Sequence, residues 1–237
     1  MITREAIVLA GGLGTRLRPL VSDRPKPMAE INGRPFLAYL LDDLTTKGIN
    51  RIILSVGHLH EMIRNFFGTL YKGCEVVYAV ENSPLGTGGG LRLALESALS
   101  EELFVVNGDT WFPVPFELPE GIYRRQQADM VIVLRKVEDA SRYGTIGMAS
   151  DGRIIAFREK TGSATPGLIN GGVYLVKSNL FASAKLPPRF SLETDFLEKS
   201  TSRKRLFGVI SDAPFLDIGL PETYGKAAQI LPENPGA

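Results

Sequence analysis

Between Leu9 and Met28 the chain reads Leu9-Ala10-Gly11-Gly12-Leu13-Gly14-Thr15-Arg16-Leu17-Arg18-Pro19-Leu20 and then Arg24-Pro25-Lys26-Pro27-Met28. Three glycines in four positions let the backbone take positive φ and approach a ligand closely. Consecutive N–H groups in such a loop form a concavity for anions. Arg16, Arg18, Arg24 and Lys26 add four cations against one acid, Asp23. The chemistry of this loop is phosphate binding. Two familiar phosphate motifs fail: Leu17 stands where the dinucleotide fingerprint needs its third glycine, and no glycine-lysine-serine/threonine end makes a nucleoside-triphosphatase P-loop.

Further along, Glu81-Asn82-Ser83-Pro84-Leu85-Gly86-Thr87-Gly88-Gly89-Gly90 follows a strand-like run and precedes a helical one. Glycines at a helix N-terminus suit an anion or the close approach of a planar ligand. An ionised Glu81 only accepts hydrogen bonds. Its two oxygens match guanine, whose N1–H and N2 amino group are adjacent donors, so if this segment holds a nucleobase GTP is the expected nucleotide, with UTP as the alternative. Asp109, in Val105-Val106-Asn107-Gly108-Asp109-Thr110, sits just past a buried strand, where open α/β sheets bind ligands. A carboxylate facing a triphosphate needs a cation between them. Mg²⁺, which takes one or two carboxylates plus phosphate oxygens, fits. Asp217, in Phe215-Leu216-Asp217-Ile218-Gly219, ends a similar short apolar run and is the expected second ligand. His58 and His60 read as a strand-to-helix turn rather than a metal pair.

The elements that must position these groups follow from periodicity. Apolar runs at 6–10, 52–56, 74–80, 103–106 and 130–134 predict buried strands. Leu37, Leu40, Leu41 and Leu44 share one helical face, and so do Leu91, Leu95, Ala98 and Leu99. This alternation predicts an α/β fold with a Rossmann-like, mostly parallel (mixed) sheet and flanking helices. The second half differs. Thr145–Ala149, the turn Ser150-Asp151-Gly152 and Arg153–Phe157 predict a small β-hairpin. Val173–Val176 is a further strand, and helical patterns span 193–200 and 222–231. The expectation is a single domain over 1–237, with a nucleotide-binding half at 1–127, an acceptor half at 128–231 and a frayed tail at 232–237.

Composition limits the possibilities. The 237 residues carry a net charge of +1, so nothing points to a nucleic-acid partner. The one cysteine, Cys74, excludes a disulfide framework and fits a reducing compartment. No apolar run is long enough to span a membrane. Met1–Glu5 runs almost directly into a strand, leaving no room for a signal peptide, so the expected location is cytoplasmic.

The stretch from Leu9 to Met28 resembles the signature of the sugar-1-phosphate nucleotidyltransferases: leucine-alanine-glycine-glycine, then glycine-threonine-arginine-leucine-arginine-proline-leucine, then proline-lysine-proline. The resemblance implies the nucleotide-diphospho-sugar transferase fold and a loop that wraps a triphosphate. Arg16 would lie on the departing pyrophosphate and Lys26 near the reacting phosphates. Leu9, Ala10, Gly11, Gly12, Gly14, Thr15, Glu81, Pro84, Leu85, Gly86, Thr87 and Gly108 would contact the nucleotide. Asp109 and Asp217 match the family's metal-binding aspartates. On the acceptor side Tyr143-Gly144 would pack on the sugar, with Glu159 on its hydroxyls and Lys160 on its phosphate. Asn170-Gly171 and Glu193 complete that side.

The activity implied is transfer of a nucleotidyl group from an NTP to a sugar 1-phosphate, with a homodimer as the expected assembly. Within the family the whole chain is most similar to the guanylyltransferases of D-glycero-α-D-manno-heptose 1-phosphate, which serve surface-polysaccharide synthesis. Mannose-1-phosphate guanylyltransferases and N-acetylmuramate-1-phosphate uridylyltransferases are the alternatives. A non-catalytic nucleotide-sugar sensor on the same fold would lose charge at its centre, whereas Arg16, Lys26, Asp109, Lys160 and Asp217 are all present.

Overall fold

A computed structural model describes residues 4–12, 14, 17, 21, 23–158, 162, 164–219 and 221–232. β1 (Glu5–Leu9) opens into the glycine–cation loop. That loop contains a 3-10 turn at Lys26–Met28 and a minimal hairpin of β2 (Glu30–Ile31) and β3 (Arg34–Pro35) before α1 (Phe36–Thr46). Then come β4 (Arg51–Val56), α2 (His60–Phe67), β5 (Leu70–Tyr71), β6 (Cys74–Val80), α3 (Gly86–Leu95) and β7 (Glu102–Asn107). The second half continues with β8 (Thr110–Trp111), α4 (Glu117–Gln126), β9 (Met130–Val137), β10 (Thr145–Met148), β11 (Ile154–Arg158) and β12 (Gly167–Lys177). A π-helical segment, Leu192–Leu197, runs into α5 (Glu198–Ser200), followed by β13 (Leu206–Ile210), β14 (Leu216–Asp217) and α6 (Pro221–Ile230).

The central sheet is mixed and mostly parallel, as the alternating pattern predicts. β7, β1, β4 and β6 are parallel neighbours. β12 lies antiparallel against β7, β9 antiparallel against β12, and β13 parallel to β9. The β10–β11 hairpin joins through Thr145↔Ile169 at the start of β12. Its turn closes with Gly152 at φ +85° and with Arg153 N–H donating to Asp151 Oδ1 at 2.9 Å.

Both faces of the sheet are buried, which explains why its strands read as continuous apolar runs. Ala6, Val8, Ile52 and Leu54 pack on the α1 side with Phe36, Leu37 and Leu41. Ile7, Ile53 and Val105 point the other way, onto Leu91 and Ala94 of α3. The chain thus moves outward from β1 through β4 to β6 and returns to β7 on the far side of β1. α1 and α3 cover opposite faces, so a crevice opens at the carboxyl ends of β1 and β7, the usual ligand position in such sheets.

Three local features depart from the periodic reading. α3 begins at Gly86, so Gly88, Gly89 and Gly90 lie inside the helix rather than ahead of it. α4 forms despite Pro119 and Gly121. β13 forms despite Gly208, where an added Cβ would stand 2.6 Å from Leu134 Cδ1.

Candidate active site

A cavity of about 450 Å³ occupies the crevice. Leu9, Ala10, Gly11, Gly12 and Gly14 line it from the β1 loop, with Lys26 and Pro27. Ser55 comes from β4, Glu81, Pro84, Gly86, Thr87 and Gly90 from the β6–α3 segment, and Asn107, Gly108 and Asp109 from the end of β7. Arg189 and Gly219 complete the wall. Of the expected nucleotide contacts, Leu85 does not line this cavity and Thr15 lies outside the described residues, as does Arg16.

The loop geometry is built around side chains that need glycine neighbours. Gly14 has φ +58°, and a Cβ there would meet Lys26 Cβ at 2.8 Å, so the lysine stem packs directly on the loop backbone. Glu81 is wedged the same way: a Cβ on Gly11 would lie 2.6 Å from its Oε1 and one on Gly90 2.5 Å. Glu81 Oε2 accepts the Leu85 N–H at 2.8 Å, and Ser55 also bonds the carboxylate. Burial raises the Glu81 pKa above the usual glutamate value, against the lowering effect of those two donors. One carboxylate oxygen therefore braces the turn into α3.

The two strand-end aspartates are brought together by a short antiparallel bridge. β14 pairs with β8 through Asp217↔Thr110 and Leu216↔Trp111. Ile218 N–H donates to the Asp109 carbonyl at 3.0 Å. Lys26 Nζ donates to Asp109 Oδ2 at 2.7 Å, with 12% of the lysine and 41% of the aspartate side chain exposed. Asp217 Oδ1 accepts the Gly219 N–H at 2.6 Å, and a Cβ on Gly219 would lie 2.7 Å from that oxygen and 3.0 Å from Lys26 Nζ. One ammonium and two carboxylates thus converge on one end of the cavity.

A second cavity, of about 230 Å³, lies beside the hairpin. Gly144, Thr145, Ile146, Phe157, Arg158, Asn170, Glu193, Thr194 and Glu198 line it. Glu159 and Lys160 follow Arg158 directly but lie outside the described residues. Tyr143 is adjacent to the lining and half-buried, whereas Gly171 is buried behind it, where a Cβ would meet the Phe112 ring at 2.6 Å. The turn that carries Glu193 is capped by its neighbours. Asp195 Oδ2 accepts the Ser191 N–H at 2.8 Å, and Ser191 Oγ accepts the Thr194 N–H at 3.3 Å, so these two residues cap the turn. Glu193 instead accepts the Thr87 hydroxyl at 2.9 Å and the Ser191 hydroxyl at 3.0 Å through Oε2. Thr87 lines the first cavity and Glu193 the second, so this hydrogen bond crosses the wall between them.

Ser55, Asn107, Arg189 and Gly219 were not among the residues expected from sequence. Asn107 precedes Gly108-Asp109 at a strand end, and that position was a usable signal. Arg189 carries none: it sits in a proline-rich connection held by Arg92, whose guanidinium donates to the carbonyls of Leu186, Pro187 and Pro188 at 3.0–3.3 Å.

A nucleotide-sized crevice ringed by glycine backbone, with a cation and two carboxylates at one end and a smaller separate cavity alongside, has the layout that phosphate transfer between two bound substrates requires. Residues 5–234 match the nucleotidyl transferase family model, and the chain belongs to that family. It is 44% identical to a D-glycero-alpha-D-manno-heptose 1-phosphate guanylyltransferase of Aneurinibacillus thermoaerophilus, over 96% of this chain and 98% of the relative. A Campylobacter jejuni protein of the same name is 37% identical over 93% of this chain and 96% of its own length. Among solved structures, HddC from Yersinia pseudotuberculosis superposes with a TM-score of 0.83 at 34% identity, covering 96% of this chain and 99% of HddC, and HddC has also been solved complexed with GMP-PN. Among the described residues no helix is long and apolar enough to cross a membrane.

Proposed function

We propose that this enzyme transfers the guanylyl group of GTP to D-glycero-α-D-manno-heptose 1-phosphate, giving GDP-heptose and pyrophosphate. The observation that carries nucleotidyl transfer is the convergence of Asp109, Asp217 and Lys26 at one end of the larger cavity, beside the second cavity that Glu193 lines. The choice of guanine and heptose rests on the two guanylyltransferase relatives and on the GMP-PN complex of HddC.

The acceptor needs no general base. A phosphate monoester has its second pKa near about 6, so it arrives as an anion at neutral pH. One of its oxygens attacks the α-phosphorus, the bond from that phosphorus to the β-phosphate oxygen breaks, and pyrophosphate leaves. The protein's task is to hold two anions in line and stabilise the charge that develops. The glycine loop Gly11–Gly14 encloses the triphosphate, Lys26 neutralises the reacting phosphates and Arg16 the departing ones. Glu81, Pro84 to Thr87 and Gly108 hold the nucleoside. Tyr143, Gly144, Glu159, Asn170 and Glu193 hold the sugar, and Lys160 its phosphate.

Asp109 and Asp217 fit a Mg²⁺ ion. Both offer hard oxygen donors, and among the described residues no cluster of three or more potential ligands is present. Two carboxylates completed by phosphate oxygens and water is the usual Mg²⁺ set. Bound there, the ion supplies charge neutralisation at the phosphates. Residues 1–127 form the nucleotide half of this site and 128–231 the acceptor half, in a cytoplasmic homodimer.

A panel of four NTPs against several sugar 1-phosphates, with pyrophosphate release as the readout, tests this reading. GTP with D-glycero-α-D-manno-heptose 1-phosphate is expected to exceed UTP, and mannose 1-phosphate, by about tenfold or more, since a site built for specific donors rejects a ligand lacking them. Equal rates with GTP and UTP, or none with the heptose, contradict it.

A further inference from the structure

The wall between the two cavities contains a fully buried polar side chain to which nothing above gives a task. Tyr174, in β12, has 0% of its surface exposed. Its hydroxyl accepts the Asn170 Nδ2–H at 2.6 Å. The Asn107 side chain stands beside the same oxygen. Asn107 lines the nucleotide cavity and Asn170 the acceptor cavity. The hydroxyl therefore lies between a group from each side.

The backbone is shaped to make this contact. β12 pairs Tyr174 with Val105 and Val173 with Val106, and its register breaks between Asn170 and Val173. Gly172 sits in that break at φ +72°, where a Cβ would lie 2.8 Å from Asn107 Nδ2. Only a glycine leaves Asn107 room to lie across the strand toward Tyr174. The same break lets Asn170 Oδ1 accept the Gly172 N–H at 3.0 Å, which fixes the amide and turns its Nδ2 toward the tyrosine. Burial pushes the Tyr174 hydroxyl well above the usual tyrosine range, and the Glu193 and Asp109 charges on either side push the same way. It stays a neutral O–H at any working pH.

We propose that Tyr174 is a positioning residue for nucleotidyl transfer: its hydroxyl sets Asn107 and Asn170 in one register, so that nucleotide and sugar phosphate are held in line across the shared wall. The inference rests on the two-substrate reading of the cavities. A buried hydroxyl bonded by one amide and flanked by another is costly to remove, because the polar groups left behind stay buried. Reacting groups displaced by about 1 Å lose rate by about a hundredfold. An effect on alignment appears in kcat and spares the affinity for each substrate alone.

Tyr174→Phe keeps the buried ring and removes only the oxygen. The expected result is a fall in kcat of about tenfold or more, with the KM for GTP within about threefold of wild type. A kcat within about threefold of wild type overturns the proposal, whatever the change in melting temperature. If Tyr174→Phe does not fold, the asparagines serve in its place. Asn107→Ala and Asn170→Ala lie on different strands and line different cavities. Joined through Tyr174, they are expected to be non-additive in log kcat by about tenfold. Additive losses overturn the proposal. The sugar reading fails separately, in the wild-type enzyme: every variant is compared with wild type on whichever sugar 1-phosphate wild type turns over, and the shared-wall claim depends only on that ratio.

Discussion

Gly88 and Gly121 are both helix-interior glycines, yet replacing each by alanine is expected to move stability in opposite directions. An exposed helix gains about 1 kcal/mol from glycine to alanine, because glycine has more backbone freedom to lose. At Gly121 in α4 a Cβ would meet nothing within 4 Å, so that gain is realised. At Gly88 in α3 the new carbon would fall on the Phe190 ring, with even the third-nearest ring atom, Cζ, only 2.9 Å away. Phe190 has 2% of its surface exposed and cannot swing aside. Its ring packs on Phe181 at 5.3 Å and under Arg92 at 5.1 Å, and its carbonyl accepts the Gly88 and Gly89 N–H groups at 3.1 and 3.3 Å. Overpacking of this kind costs about 1–3 kcal/mol. Set against the propensity gain, the net loss is up to about 2 kcal/mol, or up to roughly 8 °C in melting temperature for a chain of this size. Gly121→Ala is expected to raise it by roughly 1–4 °C. Thermal unfolding by circular dichroism of the two variants beside wild type measures both shifts. A Gly88→Ala protein that melts at or above wild type refutes the argument that α3 carries glycines because Phe190, Pro188 and Glu81 occupy their Cβ positions.

Two further predictions concern charged groups. Asp42 on α1 has 1% of its surface exposed and is bonded by Arg34 at 2.6 Å, Lys72 at 2.7 Å and Tyr71 at 3.0 Å, tying the β2–β3 hairpin and the β5 edge to the core. Burial alone would raise its pKa, but the hydrogen bonds from Lys72, Arg34 and Tyr71 outweigh it and hold the carboxyl below its ordinary value. A depressed pKa contributes stability that is present above the unfolded value, near about 3.9, and is lost as pH falls through the folded one. Asp42→Asn is expected to cost about 3–5 kcal/mol at pH 7 and to lose less melting temperature than wild type on acidification to about pH 3. Parallel acid profiles for the two proteins contradict this. Asp109→Ala and Asp217→Ala are each expected to lower kcat at saturating Mg²⁺ by about a hundredfold or more, and initial-rate assays that find either within about threefold of wild type contradict the metal assignment.

Much of this arrangement was legible in the sequence because it depends on local pattern. The runs at 52–56, 74–80 and 103–106 are buried on both faces, and they read as strands for that reason. The strand-end positions of Asp109 and Asp217 follow from short apolar runs that stop before glycine. Their meeting does not: it is made by the two-residue pairing of Thr110–Trp111 with Leu216–Asp217, too short to leave a periodic trace. The glycines of α3 misplace its start because propensity opposes helix there, and the reason for them is packing against Phe190 and Glu81, residues remote in sequence or turned back from the preceding strand. α2 shows in the sequence only through its start, the strand-to-helix turn at His58 and His60, because only Ile63 and Phe67 are buried along it. Tyr174 reads as one more apolar strand residue, and only the bulge at Gly171–Gly172 reveals that its hydroxyl lies between two amides.

The bond that breaks tests the central claim most directly. With GTP labelled at the α-phosphorus and D-glycero-α-D-manno-heptose 1-phosphate as acceptor, the label is expected to appear wholly in the GDP-sugar, with one unlabelled pyrophosphate released for each product formed. Label recovered as GMP without GDP-sugar, or unlabelled phosphate released in place of pyrophosphate, contradicts attack by a sugar phosphate on the α-phosphorus at this site.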